Sequence, residues 1–239
     1  MHDIMDLHTH TIVSGHAYNT MDEMINAAVE ADLELLALTE HAPNMPGSTG
    51  PYYFSNLKVL PRQRDNILVL FGTEANLLDS KGHIDLEKSI AKDLDLVIVS
   101  MHTPCITPGS KKENTQTYLK AMEKSYINII GHPDDARYPV NYKKLAKVAA
   151  ETHTLLEINN TSLSPNSFRQ GARENDITLL KYCEQFGTSV IINSDAHSRF
   201  DVGAHQFAHD LIGELDFPET LIVNTSVEKV KSYLNYQAW

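Results

Sequence analysis

Seven short apolar runs alternate with amphipathic stretches along this chain, and that alternation limits its possible folds more than any other feature. The runs are "IMDLH" (4–8), "LELLALTE" (33–40), "ILVLFGTEANL" (67–77), "LDLVIVSMH" (94–102), "YINIIGH" (126–132), "TLLEINN" (154–160) and "TSVIINSD" (188–195). Helical patterns separate them at 21–32, 114–125, 141–151, 173–186 and 203–214, with a shorter one near 86–93. Thr20, with Glu23 at capping-box spacing, introduces the first. Strands that are apolar on both faces and separated by helices are buried, parallel strands of βα units. Seven of them predict an α/β chain closing as a βα barrel rather than an open sheet. No internal repeat, low-complexity tract or linker divides the chain, so 1–239 reads as one domain. The longest irregular stretch, "APNMPGSTGPYYFSN" (42–56), is read as part of an active-site rim.

The second constraint is where the imidazoles and carboxylates fall. In "DLHTH" (6–10), residues i and i+2 of an extended strand share a face, so His8 and His10 project together, with Asp6 further back on that face. One such pair alone reads as an ordinary polar strand end. Here the pattern recurs: His41 follows the second run, Glu74 ends the third, His102 the fourth and His132 the fifth. Asp195 and His197 close the seventh, and His16 lies in the loop after the first. Barrels of parallel strands gather catalytic groups at their C-terminal strand ends. Nine potential ligands on one rim therefore predict a metal site.

Imidazole suits zinc, iron, manganese or nickel, carboxylates tolerate harder ions, and no thiolate set is offered. Nine ligands exceed one tetrahedral ion and fit two or three, with Glu74 the natural bridge. That is a multinuclear hydrolytic site, in which a bridging water becomes hydroxide near neutral pH. The net charge of −11 disfavours a nucleic-acid surface. It leaves room for an anionic substrate where bound cations supply positive charge. No apolar run approaches a membrane span, and the N-terminus has neither basic nor apolar signal-peptide regions. Cys105 and Cys183 make no disulfide framework or CxxC site, so a cytoplasmic protein is expected.

The set "DLHTHT", "SGHAYNT", "LTEHAP", "GTEAN", "SMH", "GHP", "LEINN" and "NSDAH" resembles the polymerase-and-histidinol-phosphatase (PHP) superfamily, most closely its small stand-alone phosphatase branch. The resemblance spans Asp6 to about His197 and implies a distorted seven-stranded, TIM-like (βα)7 barrel. It also implies three divalent ions, zinc first, with manganese or iron as alternatives. His8, His10, Glu74 and Asp195 would hold one. Glu74 would bridge to a second, held also by His102 and His132, and His16, His41 and His197 would hold the third. Glu74 and Asp195 are thereby the expected catalytic carboxylates. One departure is Glu40, where the family commonly has Asp; it is not an expected ligand, but a longer side chain alters what orients the ligands.

The expected activity is a metal-dependent phosphoesterase acting on a small phosphorylated metabolite, with a metal-bridging hydroxide attacking phosphorus in line. Neither nucleic acid nor membrane is expected as a partner, and a homo-oligomer is left open. Arg62 and Arg169 are candidate bidentate clamps for the phosphate, positions the resemblance also fills with arginine. Asp6 either orients a ligand imidazole or caps a turn. Asn159 and Asn160 either contact substrate or fix a loop. Cys105 reads as packing, and His205 and His209, four apart on a helix, as a surface pair. Two rivals are an amidohydrolase-type hydrolase and a non-catalytic PHP-like metal-binding scaffold. The first commonly needs a carboxylated lysine at a mid-barrel strand end, where this chain has none. The second would be expected to lose ligands, and every expected ligand position is filled.

Overall fold

The computed structural model describes residues 2–64 and 66–238. Among the described residues eight strands are formed: β1 (Met5–Thr9), β2 (Leu35–His41), β3 (Gln63–Arg64), β4 (Ile67–Asn76), β5 (Val97–Ser100), β6 (Ile129–Ile130), β7 (Leu155–Asn159) and β8 (Val190–Asn193). All except β3 are parallel and adjacent in chain order, as successive βα units require. The short β3 pairs antiparallel with β4 and has no counterpart among the seven apolar runs.

β8 returns to β1 through the bridge Thr9–Ala196 and through Asn193, whose Oδ1 accepts the Leu7 N–H at 2.9 Å. Asn224 fills the remaining gap. Its side chain pairs with the N–H and carbonyl of Ile192 at 2.8 and 2.7 Å, and its carbonyl accepts the Ile4 N–H at 3.0 Å. The result is the nearly closed, seven-stranded α/β barrel expected from the alternation.

The strands are apolar on both faces because both are covered. Leu35, Ala37, Leu70, Ile98 and Ile191 fill the interior, while Leu36, Leu38, Val99 and Ile192 pack in the outer layer with the helices. Val230 and Leu234 of the C-terminal segment, around α9 (Val227–Lys231), join the interior cluster as its floor. The other helices are α1 (Met21–Glu30), α2 (Pro51–Asn56), α3 (Lys88–Ala91), α4 (Lys111–Met122), α5 (Tyr142–Thr152), α6 (Asn160–Leu163), α7 (Ala172–Phe186) and α8 (Gln206–Glu214). The Thr20–Glu23 capping box is formed. A second box, Ser110–Glu113, starts α4 three residues earlier than the periodicity indicates. Residues 42–56 are not wholly irregular, since Pro51 opens α2 at its first helical position.

Candidate metal centre

On β4 the inward positions change from apolar to ligating toward the C-terminal end, Leu70 giving way to Glu74 at even spacing, and Asp195 follows two residues after the end of β8. β1 breaks its alternation to do the same. Met5 and Leu7 lie in the interior cluster, yet His8 and His10 also reach inward, because the register against β2 shifts by one residue between Asp6 and Thr9. A bulge of this kind re-aims side chains beside functional sites. His8 and His10 are neighbours as expected, with ring centroids 5.1 Å apart. Asp6 does not share their surroundings. It accepts the N–H and hydroxyl of Ser194 and the Gly203 N–H, so it secures the turn that carries Asp195 rather than orienting the His8 or His10 ring.

Glu74 is fully buried at the centre of the cluster. Its Oε2 lies 3.3 Å from His8 Nε2, 3.5 Å from His10 Nε2 and 2.7 Å from His41 Nδ1. Its Oε1 lies 3.2 Å from His102 Nε2 and 2.8 Å from His132 Nε2. Asp195 Oδ1 completes the first group, 3.6 Å from His8 Nε2 and 3.3 Å from His10 Nε2. Donors about 2.0–2.1 Å from one tetrahedral ion stand roughly 3.3–3.4 Å apart, so His8, His10, Glu74 and Asp195 are spaced like one ligand set. His16 Nε2 lies 3.2 Å from His41 Nε2 and 3.1 Å from His197 Nε2. All nine expected residues thus meet in one place.

The donors also fit a metal by what they lack. His8 Nε2, His10 Nε2, His41 Nδ1 and Glu74 Oε2 are buried without hydrogen-bond partners, which is costly unless a cation satisfies them. The opposite ring nitrogens are held. His8 Nδ1 is 2.7 Å from Glu157 Oε1, His10 Nδ1 is 3.0 Å from Ser14 Oγ, and His102 Nδ1 is 2.7 Å from Asn76 Oδ1. Each contact leaves Nε2 facing the cluster. Glu40 sits behind Ser14, accepting its hydroxyl at 2.6 Å, and so reaches the ligands only through it.

Glu157 is the important residue that sequence spacing did not single out. Fully buried on β7, it accepts from Asn193 Nδ2 at 2.8 Å and the His132 N–H at 2.8 Å, besides facing His8. The signal was present: an acidic residue inside "LLEINN", where a charge must have a buried partner. His132 and Asp195 adopt φ of +25° and +57°, left-handed backbone for non-glycine residues, and each is held there by buried hydrogen bonds around it.

Burial opposes ionisation of Glu74, but His102, His8 and His41 hold its pKa well below the usual carboxylate range. Burial likewise opposes Asp195, and His8 and Arg169 outweigh it. His16 is pushed down to about 4 by burial and by the neighbouring His41 and His197, so it is a neutral, lone-pair donor at pH 7. Burial would depress His8, yet Glu157, Glu74 and Asp195 raise its pKa; that excess of negative charge equally favours a metal cation.

The two candidate arginines part company. Arg169 is at the centre: Nη2 donates to Asp195 Oδ2 at 2.9 Å, and Nη1 to Ser162 Oγ at 3.0 Å and Asn159 Oδ1 at 3.2 Å. Arg62 is not in the cleft. It donates to Asp95 and to the carbonyls of Leu57 and Leu60, and Asp95 lies just before β5, at the opposite end of the barrel. The chain reaches β4 from below, so the expected phosphate clamp at Arg62 faces away from the cleft. Asn159 Nδ2 reaches Asp195 Oδ2 at 3.2 Å, whereas Asn160 Oδ1 accepts the Ala208 N–H and fixes α8. Burial raises the Cys105 thiol to about 11, consistent with packing.

The cluster opens into a cleft of about 500 Å³ whose wall includes His16, His102, Arg169, Phe168, Met45 and Met101. Met45 comes from the 42–56 stretch, and no lysine lines the cleft among the described residues. Phe168 stands within 5.3 Å of both the Arg137 and Arg169 guanidinium carbons.

Residues 6–166 match the PHP domain. A protein of Clostridium novyi (strain NT) named "Probable phosphatase" is 42% identical over 231 residues, covering 97% of this chain and 94% of the relative. One of the same name from Thermoanaerobacter sp. (strain X514) is 40% identical over 232 residues, covering 97% and 94%. Among solved structures, histidinol phosphate phosphatase from Lactococcus lactis, complexed with zinc, L-histidinol and phosphate, superposes with a TM-score of 0.63. It is 18% identical and covers 90% of this chain and 95% of that one, which shows a shared fold. Among the described residues no helix is long and apolar enough to cross a membrane.

Proposed function

The chain belongs to the PHP domain family, and from that premise we propose that it is a metal-dependent phosphatase of small phosphorylated metabolites. The observation that carries this reading is the divided carboxylate of Glu74. One oxygen faces His8, His10 and His41, and the other faces His102 and His132. A carboxylate serving two imidazole sets is suited to bridging two ions.

His8, His10, Glu74 and Asp195 would hold one ion, Glu74, His102 and His132 a second, and His16, His41 and His197 a third. The imidazole-rich set puts zinc first, with manganese or iron as alternatives. Divalent ions bound there supply Lewis acidity, activating water near neutral pH and offsetting phosphoryl charge.

The chain's own residues do the rest. Glu157, Ser14 and Asn76 fix which ring nitrogen faces inward. Arg169 is pinned to Asp195, Ser162 and Asn159, so a guanidinium is already in place for phosphoryl oxygens before substrate arrives. Phe168, Met45, Met101 and Pro104 give the organic part of a small substrate an apolar wall.

The test is to strip the protein with a chelator and assay phosphomonoester hydrolysis before and after reloading. Activity is expected to vanish and to return with zinc or manganese. Full hydrolysis by metal-free protein would refute the reading.

A further inference from the structure

A second group of metal-ligating side chains lies outside the cleft. Asp3 precedes β1, His205 caps the start of α8, and His209 lies one turn further along the same face. Asp3 Oδ2 is 2.7 Å from His205 Nδ1 and 2.9 Å from His209 Nε2. The side chains of His205 and Asp3 are 3% and 6% exposed, and His209 is 26% exposed, so solvent reaches the group at His209.

This arrangement is more than a surface pair. Two imidazoles share one carboxylate oxygen, while Asp3 Oδ1 stays buried without a hydrogen-bond partner. Asp6 stands behind, its Oδ2 3.9 Å from His205 Nε2. The groove leading to His209 is acidic, lined by Asp210, Asp216 and Glu219.

We propose that Asp3, His205 and His209 form a divalent transition-metal site separate from the catalytic cluster. Two imidazoles and one carboxylate suit zinc or cobalt(II), with solvent completing the coordination, and disfavour magnesium and calcium. An ion there ties the chain's beginning to α8. Because Asp6 grips both Ser194 and Gly203, the tie also braces the segment that carries Asp195 and His197. Its role is structural, and binding to the folded state alone raises stability.

The test uses the full chain, wild type against His209→Ala and Asp3→Asn, each stripped, reloaded with zinc, dialysed and counted by elemental analysis. His209→Ala puts a strong helix former on a partly exposed face of α8, at a residue that does not line the cleft. Each variant should hold one zinc ion fewer than wild type. His209→Ala should retain full hydrolysis of p-nitrophenyl phosphate, and added zinc should raise its melting temperature less than it raises that of wild type. Equal zinc content in wild type and both variants overturns the site. So does a deficit in His209→Ala accompanied by lost activity, because the missing ion would then belong to the cleft.

Discussion

Two arginine–aspartate pairs sit at opposite ends of this barrel. Arg62 meets Asp95 below the strands, and Arg169 meets Asp195 above them. Both pairs are close, at 3.0 and 2.9 Å, and both are mostly buried. Their surroundings differ. Arg62 spends its other donors on the carbonyls of Leu57 and Leu60, lies 5.0 Å from the Phe71 ring, and Asp95 also accepts the Phe71 N–H at 2.8 Å. Every partner is a piece of the scaffold. Arg169 instead lines the cleft, and its aspartate adopts left-handed backbone beside four unpartnered ligand atoms. The same ion pair is therefore a brace at one end and part of the cleft wall beside the ligand cluster at the other; neighbouring groups decide which.

The sharpest way to break that contrast is at the top of the barrel. Glu74→Ala removes a carboxylate facing two imidazole sets, so two ions should be lost together. Interactions worth several kcal/mol disappear, and kcat/KM should fall by at least about a thousandfold, with metal content falling in parallel. Intact metal content in this variant would show that Glu74 is no bridge.

Arg169→Ala should cost roughly 2–4 kcal/mol of transition-state binding, which is about 30- to 1000-fold in kcat/KM. Arg169→Lys separates its two duties: a single ammonium can keep the Asp195 contact but cannot clamp phosphate bidentately. A large rise in KM with metal content unchanged is expected for lysine.

At the bottom of the barrel the effect on catalysis should be smallest. Arg62→Ala strands the buried Asp95 carboxylate and should lower unfolding free energy by about 1–3 kcal/mol in denaturant titrations. Its kcat/KM should stay within about twofold of wild type, as for a change far from the site. A fall matching that of Arg169→Ala would erase the distinction between the two ends.

Much of this was legible from residue spacing because the barrel is periodic. Apolar runs mark buried strands, and ligand types at their C-terminal ends mark the open rim. What escaped depends on local departures from that periodicity. The bulge in β1 turns Asp6 away from the face of His8 and His10, and simple alternation has no way to include one extra residue. Glu157 was passed over although, like Glu74, it lies two residues before the end of its strand; its part shows only in its contacts with His8 and the His132 N–H. Arg62 failed for a related reason: the turn through β3 brings it to the lower end, and a two-residue strand leaves no periodic trace. His205 and His209 were visible as a helical pair, but Asp3, two hundred residues away in sequence, becomes their neighbour only when the barrel closes.

The central claim is that Glu74 joins two ions within a three-ion cluster. The most direct measurement is an anomalous difference map from crystals of zinc-reloaded protein. Three peaks are predicted in the cleft, two of them about 3.5–4 Å apart on either side of the Glu74 carboxylate. The third should lie among His16, His41 and His197, and should fade first on mild chelation because His16 comes from a loop. A single peak in the cleft, or a Glu74 carboxylate touching only one ion, would contradict the account.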